Sequence, residues 1–150
     1  MEIERKWLVE TLPDLSKARR YKIIQGYISI AENGDEVRLR KKDNLYFQTI
    51  KSKGGLVRSE VEIKLTEEQF NTLWPTTEDK RIVKTRYEIP INSLIAEVDI
   101  YKENLEGLKI VEVEFSTIEE AELFSFPNWF GKEVTEDEAY KNKNLAVKKD

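Results

Sequence analysis

Charged residues occupy every second position along most of the segments that are predicted to be β-strands. The chain opens with MEIERKWLVE, in which Glu2, Glu4 and Lys6 stand at alternate positions. Because residues two apart in a strand share a face, these two carboxylates and the ammonium group point to one side of the sheet. Ile3 and Trp7 point to the other side. This pattern predicts antiparallel strands with one charged and one apolar face.

Alternation of this kind predicts eight strands, separated by turn signals. The predicted strands are 2–9, 21–30, 36–42, 45–51, 58–65, 82–89, 96–101 and 109–115. Turns are expected at 33–35, at Gly54-Gly55 and at 106–107, and Pro90 is expected to end the sixth strand. Eight short strands at this spacing favour a closed or nearly closed antiparallel barrel, in a mainly β, α+β fold. We expect residues 1–150 to form a single domain.

Helix signals are few, and each is a capping box, in which a Ser or Thr is followed three residues later by Glu or Gln. The boxes are Thr66 with Gln69 before a helix over 67–74, Ser116 with Glu119 before 117–124, and Thr135 with Glu138 before 136–147. The first helix should stop before Pro75, since proline restricts the residue that precedes it. We expect these helices to cover the apolar outer face of the barrel.

The composition excludes several kinds of site. The chain contains no Cys and no His, so disulfides, thiol nucleophiles, zinc sites of Cys and His, and Ser-His-Asp triads are all ruled out. A metal would have to bind oxygen, as Mg²⁺, Mn²⁺ and Ca²⁺ do. The net charge of −4 disfavours non-specific binding to nucleic acid or membranes. We expect a soluble, cytoplasmic protein without a membrane or nucleic-acid partner.

Acids and bases are segregated among the predicted strands. Strands one, seven and eight carry the acids Glu2, Glu4, Glu97, Asp99, Glu112 and Glu114, and strands three, four and six carry the bases Arg38, Arg40, Lys51, Lys84 and Arg86. For a single strand such charges ordinarily form a solvated face. Segregation, and the use of Arg at mid-strand, instead favour an enclosed face that binds phosphate oxygens. Paired acids would hold a divalent cation there, and a triphosphate suits the bases better than a monophosphate does.

The ordered set of motifs resembles that of the CYTH domains, or triphosphate tunnel metalloenzymes. The motifs are EIERK with its ExExK signature, VRLR, QTIK, RSEVEI, KTRYEI, EVDIY and VEVEF, followed by the terminal EVTEDEAYKNKNLA. The resemblance implies an eight-stranded antiparallel tunnel that binds a triphosphate and a divalent metal. Short chains that begin with ExExK are most similar to inorganic triphosphatases. The fold alone does not fix the substrate.

The resemblance assigns roles to fifteen side chains, with Mg²⁺ or Mn²⁺ as the cofactor. The metal ligands are Glu2, Glu4, Glu112 and Glu114; the catalytic residues are Lys6, Lys84, Glu4 and Glu114; the phosphate-binding residues are Lys6, Arg38, Arg40, Lys51, Arg58, Lys84 and Arg86; and Glu60, Glu62, Glu97 and Asp99 support the bases. Lys84 is expected to assist the leaving phosphate. Tyr27 is expected to be a packed barrel residue, and Lys41 and Lys42 to face solvent.

Four alternatives to an inorganic triphosphatase remain. Thiamine triphosphatase and class IV adenylyl cyclase need a site for an organic group, for which the sequence offers no clear motif. A non-catalytic barrel that binds polyphosphate or nucleotide would have no use for paired acids on two strands. A barrel for single-stranded nucleic acid should interleave exposed aromatics with bases, whereas here the aromatics mostly alternate with the charges. The assembly is expected to be a monomer or a homodimer.

Overall fold

A computed structural model describes residues 1–53 and 56–147, in which nine strands form one antiparallel sheet. The strands are β1 (Glu2–Leu8), β2 (Arg19–Ile30), β3 (Glu36–Lys42), β4 (Leu45–Lys51), β5 (Val57–Arg58), β6 (Glu60–Leu65), β7 (Arg81–Ile91), β8 (Leu94–Tyr101) and β9 (Lys109–Glu114). The α-helices are α1 (Glu67–Leu73), α2 (Ile118–Leu123) and α3 (Asn142–Leu145), and short 3₁₀ turns span Trp74–Thr77, Glu103–Leu105 and Glu138–Tyr140. The turn predicted at Gly54-Gly55 lies outside the described residues.

The sheet closes into a barrel because one run of chain pairs with both of its edges. The strand order is β5-β1-β9-β8-β7-β2-β3-β4-β6. β5 and β6 follow one another directly, separated only by Ser59, where the predicted fifth strand divides. β5 pairs with β1, placing Arg58 opposite Glu2, whereas β6 pairs with β4, placing Glu60 opposite Lys51. The predicted antiparallel barrel is confirmed, with nine strands where eight were expected.

The charged faces of the strands point into the bore, as the alternation predicts. Glu4 on β1 lies opposite Glu114 on β9, and Lys6 lies opposite Glu112. The apolar faces point outward into two clusters. The first contains Trp7 and lies under α2 and the chain that follows it, and the second joins Leu39 and Leu65 to Phe70 of α1.

Trp7 is the centre of the larger outer cluster, and its loss is expected to be costly. The indole is fully buried, with ring centroids 5.8, 5.4 and 4.7 Å from those of Phe124, Phe126 and Phe130. Trp7→Ala should lower the free energy of unfolding by about 3–5 kcal/mol, because a large cavity remains. Urea denaturation measures this loss. Phe126→Ala is the matched control, since this ring is 45% exposed and its removal should cost much less.

The helical cover over the outer face is incomplete, which corrects the expectation of a full jacket. On the outer face of β4 and β6, Ile50, Val61 and Ile63 are 47%, 62% and 52% exposed. The three α-helices have seven, six and four residues. Helices of this length cover only part of a barrel wall. No helix within residues 1–53 and 56–147 has the length and hydropathy needed to cross a bilayer.

Pro90 does not end its strand, contrary to the prediction. β7 continues to Ile91, and Pro90 lies opposite Ile95 of β8. Pairing between β7 and β2 stops at the pair of Glu88 with Arg19. Proline, which has no N–H to donate, is tolerated here because this part of β7 has a partner on one side only.

The capping signals predict one helix well, one with a shift, and one wrongly. α1 begins at the Thr66 box and ends at Leu73, ahead of Pro75, although a 3₁₀ turn continues through the proline. The cap of α2 is Thr117, whose hydroxyl accepts from the backbone N–H of Glu120, one residue later than predicted. These shifts are within the usual uncertainty of helix ends.

The predicted helix over 136–147 is wrong, because its supposed cap is used elsewhere. The Thr135 hydroxyl accepts the backbone N–H of Lys6 and donates to Glu133. Asp137 instead caps the short turn that follows. The segment then breaks before α3, since the chain packs against the barrel rather than forming a separate helix.

This C-terminal segment fills one end of the bore with apolar side chains. Inward-facing Tyr27, Ile82, Tyr101 and Ile110 form a buried cluster there with Ala146. The partly buried Leu8, Tyr140 and Leu145 pack against this cluster. The bore therefore has a polar part and an apolar floor, which the alternation of charges did not predict.

Candidate active site

A cavity of about 200 Å³ occupies the polar part of the bore. Thirteen of the fifteen residues assigned from the sequence line it, all except Lys84 and Asp99. The lining consists of Glu2, Glu4, Lys6, Tyr27, Glu36, Arg38, Arg40, Lys42, Lys51, Arg58, Glu60, Glu62, Arg86, Glu97, Glu112, Glu114, Thr135, Lys141 and Asn142. The barrel therefore brings together, on one surface, charged residues that lie more than a hundred positions apart in the chain.

Several of the lining cations are paired with carboxylates. Lys51 Nζ lies 3.1 Å from Glu2 Oε1, and Arg58 Nη2 lies 3.0 Å from Glu36 Oε2. Glu36 was not selected from the sequence, although it occupies the same face of β3 as Arg38. Its position directly after a predicted turn concealed it. These pairs leave little free positive charge on the wall formed by β4 and β5.

Lys84 and Asp99 lie buried outside the lining, and Asp99 supports Arg86, which does line the cavity. Asp99 accepts from Arg86 Nε at 2.8 Å and from Nη2 at 2.9 Å, and its Oδ2 lies 2.7 Å from Lys84 Nζ. Burial opposes ionisation of Asp99, but the two cations hold the pKa of its carboxyl below its usual value. Burial lowers the pKa of Lys84 to about 7 despite the attraction of Asp99. Asp99 therefore fixes the plane of the Arg86 guanidinium group.

Arg38 and Arg40 differ from the other two arginines that line the cavity, Arg58 and Arg86, because their hydrogen-bond partners are uncharged side chains. Arg38 Nη2 donates to the Thr49 hydroxyl at 3.3 Å, and Arg40 Nε donates to Gln25 Oε1 at 3.0 Å. Among the described residues, no carboxylate lies within 4.0 Å of either guanidinium group. Arg38 Nε is buried and has no hydrogen-bond acceptor among the described residues.

Burial, together with the neighbouring Arg38 and Arg86, lowers the pKa of Arg40 to about 9. The positive charges on this wall therefore repel one another, and repulsion between buried like charges destabilises the charged forms. An anion between the arginines would relieve that repulsion and accept the forked hydrogen bonds that guanidinium groups make. The wall that carries Arg38 and Arg40 is thus suited to phosphate oxygens.

Four acids from β1 and β9 face the same cavity and repel one another. The pKa of Glu4 is raised well above its usual value by burial and by the nearby carboxylates of Glu112 and Glu2. Burial and like charges also raise the pKa of Glu2 and of Glu114. Burial would raise the pKa of Glu112 too, but Lys6 and the cations around it lower that pKa instead. Glu112 Oε1 makes no hydrogen bond in the described part of the protein.

The chemistry of these acids fits a hard divalent cation, since carboxylate oxygens are its preferred ligands and its charge would offset their repulsion. The positions of these acids fit a metal ion less well than their chemistry does. Within residues 1–53 and 56–147, no three acidic side chains are grouped closely enough to hold a metal ion. A metal at this position would require carboxylates from β1 and β9 to move closer together.

Several lining residues were missed or misjudged from the sequence. Lys42 lines the cavity, with Nζ 4.1 Å from the centre of the Tyr21 ring, and does not simply face solvent. Tyr27 is both packed in the floor and part of the lining. Lys141 and Asn142 reach the lining from the C-terminal segment, where no strand alternation could have predicted their direction. Thr135 carried a signal that was assigned to a helix cap.

The bore of this antiparallel barrel contains clustered acids and two arginines that have no carboxylate partner among the described residues, and it therefore defines a binding site for a small polyanion. No protein-family model matches the chain. The chain is 47% identical over 148 residues to an inorganic triphosphatase of Nitrosomonas europaea, covering 97% of each protein. It is 32% identical over 149 residues to an inorganic triphosphatase of Acetivibrio thermocellus, covering 97% of this chain and 92% of the relative.

Comparison with a solved structure gives the same result as comparison of the sequences. The crystal structure of the inorganic triphosphatase NE1496 matches with a TM-score of 0.74 and 42% identity, over 99% of this chain and 96% of the other. The chain belongs to the inorganic triphosphatases of the CYTH, or triphosphate tunnel, family. The resemblance seen in the sequence motifs is thereby confirmed.

Proposed function

We propose that this protein hydrolyses inorganic triphosphate to pyrophosphate and phosphate with the help of Mg²⁺ or Mn²⁺. The observation that carries the proposal is the arginine pair on β3. Arg38 and Arg40 face an enclosed cavity with only uncharged hydrogen-bond partners, and such a wall calls for a ligand with several phosphate oxygens. The full-length similarity to two inorganic triphosphatases supports the same substrate.

The size and lining of the cavity favour inorganic triphosphate over nucleotides or thiamine triphosphate. Ligand pockets for drug-sized molecules usually measure about 300–1,000 Å³ and are mostly apolar. This cavity measures about 200 Å³, and among the described residues that line it Tyr27 is the only aromatic one. It offers little apolar surface against which an adenine or thiazolium ring could stack. The apolar floor also limits how far a longer ligand could extend.

We further propose that Glu2, Glu4, Glu112 and Glu114 hold the metal. A divalent ion bound by them would offset the charge of the triphosphate and polarise the phosphoanhydride bond. The raised pKa of Glu4 supports this assignment, because it reflects burial and repulsion by neighbouring carboxylates, which a bound cation would offset. Glu112 Oε1 accepts no hydrogen bond within the described residues, which leaves it available as a metal ligand. The choice between Mg²⁺ and Mn²⁺ stays open, since both prefer oxygen ligands.

The roles of the protein groups follow from their positions in the cavity. Arg38 and Arg40 bind the phosphate chain, and Lys6, Lys51, Arg58 and Arg86 complete the positive surface around it. Glu4 or Glu114 accepts the proton of the attacking water, because these acids face the cavity and burial raises the pKa of each carboxyl. Enclosure by the barrel keeps other water from the reacting phosphate.

Lys84 remains a predicted catalytic residue, but it can act only if its side chain moves. Its ammonium group is fully buried beside Asp99, so assisting the leaving phosphate requires it to leave Asp99 and enter the cavity. Glu60, Glu62 and Glu97 remain supporting residues in the proposal. A cytoplasmic location and assembly as a monomer or homodimer also stay predictions.

Phosphate release from inorganic triphosphate, ATP and thiamine triphosphate tests the proposal. With Mg²⁺ or Mn²⁺ present, triphosphate should be the best substrate by kcat/KM, and adding a chelator should abolish its turnover. Restoring the metal should restore the rate, which controls for damage by the chelator. Cyclic AMP as the main product from ATP, or faster hydrolysis of thiamine triphosphate, would contradict the choice of substrate. Undiminished turnover in chelator would contradict the metal dependence.

A further inference from the structure

The four arginines that line the cavity fall into two classes according to what orients them. In the first class a carboxylate does so, as Glu36 does for Arg58 and Asp99 does for Arg86. The second class consists of Arg38 and Arg40, which are oriented by the hydroxyl of Thr49 and the amide of Gln25. The orienting group decides how much positive charge remains for a ligand.

Gln25 is the group that orients Arg40. It lies on the inner face of β2, directly opposite Arg40 on β3, and is fully buried. Its Oε1 accepts the Arg40 Nε–H, which leaves the two Nη groups of the guanidinium free of that bond. Its Nε2 has no acceptor within the described residues, and burying an unsatisfied donor costs free energy. The hydrogen bond that Oε1 accepts from Arg40 must offset this cost.

Thr49 separates Arg38 from an acid in a similar way. The Thr49 hydroxyl accepts from Arg38 Nη2 and donates to Glu62 Oε2 at 3.1 Å. Thr49 lies opposite both Arg38 and Glu62 in the sheet and is fully buried. The hydroxyl therefore stands between a guanidinium and a carboxylate that would otherwise be free to approach one another.

We propose that Gln25 and Thr49 are positioning residues that orient Arg40 and Arg38 without neutralising them, which preserves a positively charged wall for the phosphate chain. The identity of the anion rests on the proposed function, but the charge argument holds for any polyphosphate. A carboxylate at either position would orient the arginine equally well and would then compete with the ligand for it. Charge-assisted hydrogen bonds are about twice as strong as neutral ones, so that competition would be severe.

Gln25→Glu tests this most sharply, because it retains the shape and the acceptor oxygen and adds one negative charge. The affinity for inorganic triphosphate, measured by calorimetry without metal, should fall roughly 10- to 100-fold, since the new carboxylate pairs with Arg40. In turnover assays the loss should appear mainly in KM. The matched control is Gln48→Glu, which makes the same exchange on the outer face of β4 and should change the affinity less than about two-fold.

Thr49 supplies a second test that does not depend on the folding of Gln25→Glu. Thr49→Val removes the hydroxyl at nearly constant volume and should raise KM for triphosphate about ten-fold, and Thr49→Ser should restore it. If Thr49 had only a structural role, Thr49→Val would lower stability without raising KM selectively over kcat. The variants are checked for native fold by circular dichroism.

Each outcome bears on one of the two proposals. Binding of triphosphate that is unchanged in Gln25→Glu and in Thr49→Val would overturn the positioning role, even if the wild-type protein is an active triphosphatase. A wild-type protein that binds triphosphate but does not hydrolyse it with metal would overturn the proposed function and leave the positioning role intact. A wild-type protein that binds no triphosphate would overturn both.

Discussion

Exchange of Glu4 for Gln is expected to lower kcat for inorganic triphosphate by roughly 1,000-fold, because metal-assisted charge stabilisation is worth several kcal/mol. Glu4 stands at the centre of the acidic cluster, where burial, Glu112 and Glu2 raise the pKa of its carboxyl. Gln has nearly the same shape but is a much weaker metal ligand. Phosphate release measured over a range of Mg²⁺ and Mn²⁺ concentrations gives the result.

The same exchange should not weaken the fold of the metal-free protein. Removing one of several buried like charges relieves repulsion, so the melting temperature in chelator should stay constant or rise. Activity and stability would then change in opposite directions, as expected of a functional acid and not of a structural one. Glu68→Gln on the exposed surface of α1 is the control and should alter neither quantity. Unchanged kcat in Glu4→Gln would remove Glu4 from the proposed metal site.

The double exchange of Arg38 and Arg40 for Ala should raise the dissociation constant for triphosphate by at least about 100-fold. Neither guanidinium group has a carboxylate within 4.0 Å among the described residues, and each can present a fork of donors to phosphate oxygens. Arg40→Lys retains the charge without the fork and should lose affinity to a smaller extent. Calorimetric titration with triphosphate measures the series.

Arg81→Ala provides the control for the loss of a cation. Its guanidinium group lies outside the bore and stacks on Trp74 at 4.5 Å from the ring centre, so triphosphate binding should not change. If Arg81→Ala weakened binding as much as the double exchange does, general electrostatics would explain the affinity. If the double exchange had no effect, the arginine pair would not be the binding wall.

The direction of the charged side chains could be predicted from the sequence because a strand has a strict period of two. Once Glu4 and Arg40 are assigned to strands, only two faces are available, and the apolar residues between the charges occupy the other one. The inward direction of thirteen of the fifteen selected residues follows from that periodicity, whereas their roles are implied by the resemblance to the family. Residues whose direction is set by strand pairing were therefore the easiest to place.

What could not be predicted depends on contacts between distant segments. The break at Ser59 exists because one run of chain pairs with both β1 and β4, which no local pattern reveals. The C-terminal segment follows the bore instead of its capping signal, since Ala146 and Leu145 find an apolar floor there. The role of Gln25 could not be predicted, because nothing in the sequence distinguishes an uncharged residue on a charged face until its partner, Arg40, is known.

The most direct test of the account is a crystal structure of the Glu4→Gln variant with inorganic triphosphate. The account predicts the phosphate chain inside the bore, with phosphate oxygens within hydrogen-bond distance of both Arg38 and Arg40 and with Gln25 Oε1 still bound to Arg40 Nε. Triphosphate bound on the outer surface, or inside the bore without contact to these arginines, would contradict it.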